Sequence, residues 1–152
     1  MADLFPALAL GDCLDEAQAI VINMKVGTAV TKGQVVMADT HTVGELCSVK
    51  PGLDSASVIG VALKSGEVGV SIPVLLKGVV KVTSLSAISV GALVKCGANG
   101  TVRIAGDAVI IPSGTTTVTS TSAQPTMLVE GGIALGKALQ TFADGDAGLI
   151  LI

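Results

Sequence analysis

The chain has 152 residues, of which 50% are hydrophobic, 1% aromatic and 14% charged, and its formal net charge is −3. Lys and Arg form no basic block that could hold phosphates, so we expect no nucleic-acid partner. Lysines at positions 25, 64, 77 and 81 interrupt the longest apolar runs before they reach the roughly 18 residues of a membrane helix, so we expect no membrane partner.

The length suits one domain or two very small ones. Nineteen glycines and the near absence of aromatic residues indicate many turns and a core of Val, Ile, Leu and Ala. We therefore predict an all-β fold, a compact barrel or sandwich of short strands. Asp3 and the lack of a basic start argue against a secretory signal, so synthesis in a cytoplasm is expected. The excess of apolar residues indicates surface that is buried against partner subunits.

Residues 1–18 differ from the rest of the chain, and we predict an N-terminal arm there, followed by a single β domain over residues 19–152. Pro6 and Gly11 discourage a long helix in the arm. Either the arm is a loosely ordered terminus, or it docks on a neighbouring subunit. In the second case Leu4, Phe5 and Leu8 are the candidate contacts.

Strands are predicted along the rest of the chain wherever short apolar runs lie between turn signals. The first half has runs at 19–26, 58–63, 70–76 and 78–82, and residues 27–38 are predicted as turn, short strand, turn and strand. Pro73 belongs at an edge or a bulge. The second half has runs at 90–96, 101–105, 107–111 and 127–130 and a final pair. Asn99-Gly100 predicts a tight hairpin, since both residues tolerate positive φ.

The Ser/Thr tract at residues 113–126 carries no charge, and we predict an exposed loop or an extended edge segment there. Because the tract has little to bury within its own chain, it is a second candidate for contact with a partner. Thr116, Val118 and Thr121 are the candidate contact residues.

An internal repeat divides the domain into halves at about residues 19–83 and 84–152. Gly33-Gln34-Val35-Val36 matches a word that begins at Gly91, 58 residues later, and Gly60-Val61-Ala62-Leu63 matches one that begins at Gly132, 72 residues later. The difference indicates an insertion in the second half, at the Ser/Thr tract. Neither half could bury its apolar face alone, so we expect the two strand–turn–strand units to pack on each other. The alternative is a chance match of short words.

Three widely spaced cysteines, Cys13, Cys47 and Cys96, contain no CxxC pair. Reduced and partly buried thiols are one interpretation. The other is an intermolecular disulfide formed after assembly, which an odd number of cysteines permits.

A search for catalytic chemistry finds no constellation of residues. His41 is the only imidazole, with no ligand partner at a metal-site spacing and no nucleophile beside it. Phosphate-binding glycine loops are absent. Asp144 and Asp146 flank Gly145 like a fragment of a calcium loop, but a turn explains them better. We therefore predict no enzyme activity, no catalytic, cofactor or metal site, and no small-molecule substrate.

Residues 24–36 resemble the approach strands of biotinyl and lipoyl carrier domains. In that family the following hairpin carries the cofactor on a lysine. Here residues 37–41 supply no lysine, so a carrier domain without its lysine is only a remote alternative.

Residues 25–152 together resemble the capsid decoration, or cement, proteins of tailed bacteriophages. The resemblance lies in a turn and strand pattern that occurs twice, at 29–36, 59–63, Glu67 and 70–82, and again at 88–95, 132–135 and 149–152. It implies a structural virion protein on the capsid exterior, made in the host cytoplasm. It also implies that the protein stabilises contacts between major capsid proteins, which would be its partner together with further copies of itself in a trimer or dimer. The competing interpretation is another β-structured virion subunit of a tail, spike or fibre.

Overall fold

The computed structural model describes residues 8–14, 16–40, 43–53, 57–105, 108–110, 128–130 and 134–152. Thirteen strands occur in these ranges, together with 3₁₀ turns at Glu16–Gln18 and Ala98–Gly100. The strands are β1 (Cys13–Leu14), β2 (Ile20–Lys25), β3 (Val35–Ala38), β4 (Val49–Pro51), β5 (Val58–Ala62), β6 (Ser71–Lys77), β7 (Val79–Thr83), β8 (Leu93–Cys96), β9 (Val102–Ile104), β10 (Ala108–Ile110), β11 (Leu128–Glu130), β12 (Gly136–Ala138) and β13 (Ala147–Leu151). The all-β prediction is confirmed, and none of the helical turns in these ranges is long and apolar enough to cross a membrane.

Two antiparallel sheets hold eleven of these strands. The first sheet has the order β2-β6-β5-β3-β4, and we call this part the N half. The second has the order β1-β7-β13-β12-β8-β9, and β7 to β13 form the C half. A separate ladder pairs β10 with β11. Each half closes on itself through a parallel bridge, between Val26 and Val49 in the N half and between Ser84 and Val102 in the C half.

The two halves have the same strand order and equivalent hydrogen bonds. Val30 forms an antiparallel bridge with Gly66, and Ile88 forms one with Phe142. The offset between equivalent residues is 58 up to β3 and β8, as in Val30 and Ile88. It falls to 53 at the closing bridge, between Val49 and Val102, and rises to 76 afterwards, as in Gly66 and Phe142. The long excursion of the C half therefore lies between β9 and β12, the part of the chain that contains the Ser/Thr tract.

Hydrogen bonds correct one alignment of the repeat. The match of Gly33 with Gly91 is right, because both N–H groups bond to equivalent carbonyls, those of Ala62 and Ala138. The match of Ala62 with Ala134 is wrong, since Ala138 is its structural equivalent, four residues further on. The short words are too similar to fix the register. The change of sheet falls at Gly78, between β6 and β7.

Each half has its own apolar interior. In the N half the buried cluster consists of Met24, Val26, Val30, Val36, Val49, Ala62, Ile72 and Val74. In the C half the equivalent positions supply Val82, Ile88, Val94, Val102, Ala138 and Ile150, joined by Phe142. Three residues from the outer face of the N half, Val35, Val61 and Leu75, belong to this second cluster. The two halves are therefore joined through one face of the N half.

Two turn and bulge predictions have different outcomes. Asn99 has a φ of 53° and Gly100 one of 71°, between the antiparallel strands β8 and β9, so the hairpin is confirmed. Pro73 lies in β6, which has a strand on each side, so the edge position is wrong. Its carbonyl accepts from the N–H of Leu63, just beyond the end of β5, where little ladder remains for a missing proline donor to interrupt.

Candidate interaction surface

The sequence predicts no metal site in the described part of the chain. No group of three or more His, Cys, Asp or Glu side chains comes close enough there to hold a metal ion. Asp146 donates its N–H to the carbonyl of Ala143, which makes this acidic segment a turn, as predicted. His41 lies outside the described residues. The described residues also form three surfaces that are candidates for contact with a partner.

The first such surface is the segment before β1, which the C half and a turn of the N half hold in place. Gly11 donates its N–H to the carbonyl of Lys81 at 2.7 Å, and the ammonium of Lys81 donates to the carbonyl of Leu8 at 3.0 Å. Lys32 Nζ lies 2.5 Å from Asp12 Oδ1 in an ion pair. Residues 8–14 therefore bridge the two halves of their own chain before any partner is considered.

Asp12 is the one group here with a clear electrostatic shift. Its hydrogen bond with Lys32 lowers the pKa of the carboxyl below its ordinary value of 3.8, and the bond from the Ala9 N–H and the charge of Lys81 lower it further. The carboxylate form thus stabilises this segment at neutral pH.

The second surface is a row of side chains on the outer face of the C half. Leu93, Lys137 and Leu151 stand side by side on the neighbouring strands β8, β12 and β13. Leu93 is 54% exposed and Leu151 43% exposed, and Lys137 is exposed as well. We call these three residues the outer row.

The equivalent row in the N half has the opposite environment. Val35, Val61 and Leu75 occupy the matching positions on β3, β5 and β6, and all three are fully buried. The C half covers them. The two halves thus present the same face, but only one of these faces is covered within the chain.

The turn after β8 contacts one end of the N-half row. Gln34 donates from Nε2 to the carbonyl of Asn99 at 3.0 Å, and Gly100 donates to the carbonyl of Gly52 at 2.9 Å. A Cβ atom on Gly52 would collide with the sulfur of Cys96. The turn at residues 97–100 therefore lies directly against the Val35 end of the buried row.

The third surface is the loop between β3 and β4, the counterpart of that turn. Residues 43–46, which we call the tip loop, are exposed throughout. Val43 is 94% exposed and Leu46 61% exposed, and Val68 lies nearby in the β5–β6 turn at 67% exposure. Glu45, Leu46 and Val68 line a shallow groove of about 400 Å³ together with Lys25. The tip loop thus offers apolar side chains and one carboxylate to a partner.

Of the predicted contact residues, the structure places only Leu8, which is half-buried and touches Lys81 through its carbonyl. Leu4, Phe5, Thr116, Val118 and Thr121 lie outside the described residues, so they stay predictions. The sequence did not single out the outer row or the tip loop. A residue-by-residue alignment of the halves pairs Leu93 with Val35 by the 58-residue offset, but it does not show which of the two side chains is covered.

The three cysteines form no disulfide within the chain. Cys96 is buried between the halves, whereas Cys13 and Cys47 are half-buried. An intermolecular disulfide would therefore have to use Cys13 or Cys47.

Comparison with known proteins gives a structural match without a sequence match. Neither a family model nor a curated protein matches the sequence. Among solved structures, the crystal structure of the head fiber gp8.5 N base in bacteriophage phi29 is similar to this chain with a TM-score of 0.57. The similarity covers 89% of this chain and 94% of that chain, at 15% sequence identity. At this identity the match shows a shared fold, which extends over nearly all of both chains.

Proposed function

We propose that this protein is a structural subunit of a bacteriophage virion that binds the outside of the capsid and stabilises contacts between major capsid proteins. The observation that carries the proposal is the fold shared with a phage head fiber base along nearly the whole chain. The exposed apolar side chains of the outer row and the tip loop support it, because such surface is typical of proteins that bury area against a partner.

Binding to the assembled shell would itself stabilise the shell. A protein that binds the assembled shell better than its separate subunits shifts the equilibrium toward the shell by mass action. No catalytic group is required for this work, and we propose that the protein is not an enzyme. Intact-mass measurement of the native protein checks for a carrier function, since an attached biotinyl or lipoyl group would contradict the proposal.

The test is binding to purified particles that lack the protein. We expect the full chain to co-sediment with shells to a saturating occupancy and to raise the temperature at which they release DNA. Deletion of residues 2–10 tests the N-terminal arm, and substitution of Thr116, Val118 and Thr121 by Asp tests the Ser/Thr tract. Lys64→Glu, in an exposed turn, is the control. Failure of the full chain to bind any shell would refute the function, whereas an unchanged deletion variant removes only the arm.

A second role, as the base of a fibre that projects from the head, is favoured by the same comparison, since the similar structure is itself a head fiber base. The copy number separates the two. A shell-covering protein is expected in hundreds of copies per particle, and a fibre base in fewer copies that each carry a distal density. Electron microscopy of the native particle measures both.

A further inference from the structure

We propose that copies of this chain associate head to tail, with the tip loop of one copy seated on the outer row of the next. The inference concerns self-association and does not depend on binding to a shell. It starts from an imbalance between the halves. Each half contributes one face and one loop. The face of the N half and the turn at residues 97–100 of the C half contact each other within the chain, whereas the outer row and the tip loop have no such contact among the described residues.

The internal contact shows which surfaces belong together. The turn at residues 97–100 follows β8 and lies against the Val35 end of the buried row. By the repeat, the tip loop is the equivalent of this turn, because it follows β3 and precedes β4 as the turn follows β8 and precedes β9. The outer row is the equivalent of the buried row. Within one chain the tip loop and the outer row are both left exposed.

The two exposed surfaces also match in chemistry. The outer row places Lys137 between Leu93 and Leu151 on neighbouring strands. The tip loop places the carboxylate of Glu45 between a glycine and Leu46, with the nearly fully exposed Val43 beside it. Apolar groups on both sides can therefore be buried while the two opposite charges pair. The neutral buried row meets an uncharged turn at its Val35 end, and by the repeat the charged outer row would meet a charged loop.

The contact between copies is not a strict replica of the internal one. Gly52, where the sulfur of Cys96 approaches closely, is replaced in the C half by Ala105, as shown by the equivalent bonds from Gly52 to Val35 and from Ala105 to Leu93. The connection from β3 to β4 is longer than that from β8 to β9, and the tip loop within it reaches the outer row through its side chains.

Such a contact is heterologous, because one copy uses its loop and the other its face. In an open assembly, the copy at one end has an unused tip loop and the copy at the other end has an unused outer row. Further copies can therefore add at either end until the assembly closes into a ring. This property gives the proposal a test that a symmetric, face-to-face dimer would fail.

The test uses two full-length variants that each disable one surface. Leu93→Asp combined with Leu151→Asp disables the outer row, and Val43→Asp combined with Leu46→Asp disables the tip loop. All four positions are exposed, and far-ultraviolet circular dichroism and thermal unfolding verify that both variants fold. Light scattering after size exclusion, over a range of protein concentrations, gives the mass.

We expect the wild type to reach a discrete multiple of the chain mass and each variant alone to remain a monomer. A mixture of the two variants should give a dimer and nothing larger, since it retains one working loop and one working row per pair. A wild type that is monomeric at every concentration would overturn the proposal. So would a mixture that stays monomeric, or a tip-loop variant that assembles as the wild type does.

Charge reversal is an independent check with smaller changes. Glu45→Lys or Lys137→Glu alone should weaken association about two- to fivefold, the scale of an exposed ion pair, and the double reversal should restore it. Lys64→Glu is the matched control and should leave association unchanged. Single reversals with no effect, or a double reversal weaker than either single one, would contradict the pairing.

Discussion

Two residue pairs show that the halves fill the same space in opposite ways. In the N half Gly66 lies beside Ile72, and a Cβ atom on Gly66 would press on the Ile72 side chain. In the C half the equivalent pair is Phe142 and Gly148, and a Cβ atom on Gly148 would collide with the Phe142 ring. The large and the small residue have exchanged strands, so the volume of the interior is conserved although neither residue is.

The Phe142–Gly148 pair gives the first prediction. Phe142→Ala should lower the free energy of unfolding by about 3–5 kcal/mol, because it leaves a cavity in a well-packed site. Gly148→Ile should also destabilise the protein, because the new side chain and the ring cannot share the space. Denaturant unfolding measures both.

The double variant Phe142→Gly with Gly148→Ile is the matched control, since it installs the arrangement of the N half. We expect it to lose clearly less stability than the sum of the two single changes, as residues in direct contact couple. If the stability loss of the double variant equalled the sum of the two single losses, the two changes would not compensate each other.

Asp12 gives a prediction for the pH dependence of the N-terminal segment. Its pKa is lowered in the folded protein, so its contribution to stability is present above the ordinary value of 3.8 and is lost as the pH falls through the lower, folded pKa. The amide resonance of Ala9, which donates to Asp12 Oδ2, should therefore titrate with a midpoint below 3.8 in an NMR series. Asp12→Asn should abolish this titration, and Asp144→Asn should not. A midpoint at or above 3.8 would contradict the ion pair with Lys32.

Some residues could not be assigned from the sequence, because their environment is made by distant parts of the chain. Lys95 is only 4% exposed, although a lysine in a strand predicts a solvated side. Leu93 reads as a core residue and is half exposed, whereas Val35, in the same local pattern, is fully buried. Local pattern fixes which side chains share a face of a strand, but not which face another half covers.

At the scale of elements, the short apolar runs between glycines predicted most strands to within one or two residues. The run at 19–26 became β2, and the stretch at 70–76 became β6. The order of strands in each sheet could not be predicted this way, since it depends on pairings such as Val21 with Leu75, more than fifty residues apart. The register of the second repeat failed for the same reason, as Ala62 and Ala138 are aligned by hydrogen bonds to Gln34 and Ala92.

The excursion between β9 and β12 gives a prediction at this scale. Among the described residues, β10 and β11 form a ladder only with each other. Replacement of residues 107–131 by a short Gly/Ser linker should therefore leave the large sheets intact, and the shorter loop itself should change stability by only about 1 kcal/mol. Cooperative thermal unfolding with unchanged far-ultraviolet circular dichroism would support this. Loss of the cooperative transition would show that the hairpin is part of the core.

At the scale of the whole molecule, the N-half row is buried and the equivalent outer row is exposed. Exchanging their central residues, Val61 and Lys137, should therefore affect the free energy of unfolding very differently in the two rows. Val61→Lys places a charge where the C half covers the N half, and we expect it to destabilise the protein by several kcal/mol. Lys137→Val makes the outer row wholly apolar and should leave the unfolding free energy within about 0.5 kcal/mol, while weakening self-association because the pair with Glu45 is lost. Unfolding curves and light scattering measure the two effects, and equal stability of the two variants would contradict the assignment of the faces.

The covered row also has a consequence for synthesis. The first strand of the N half, β2, pairs with its last, β6, so this half can close its sheet as soon as Lys77 has left the ribosome. Val35, Val61 and Leu75 then face water until the C half arrives. At roughly 5–20 residues per second, the 74 residues after Lys77, to the end of β13 at Leu151 (151 − 77), take about 4–15 seconds to emerge. During that interval nascent chains made side by side display the same apolar strip, and the spacing of ribosomes on the message sets how often two such strips meet.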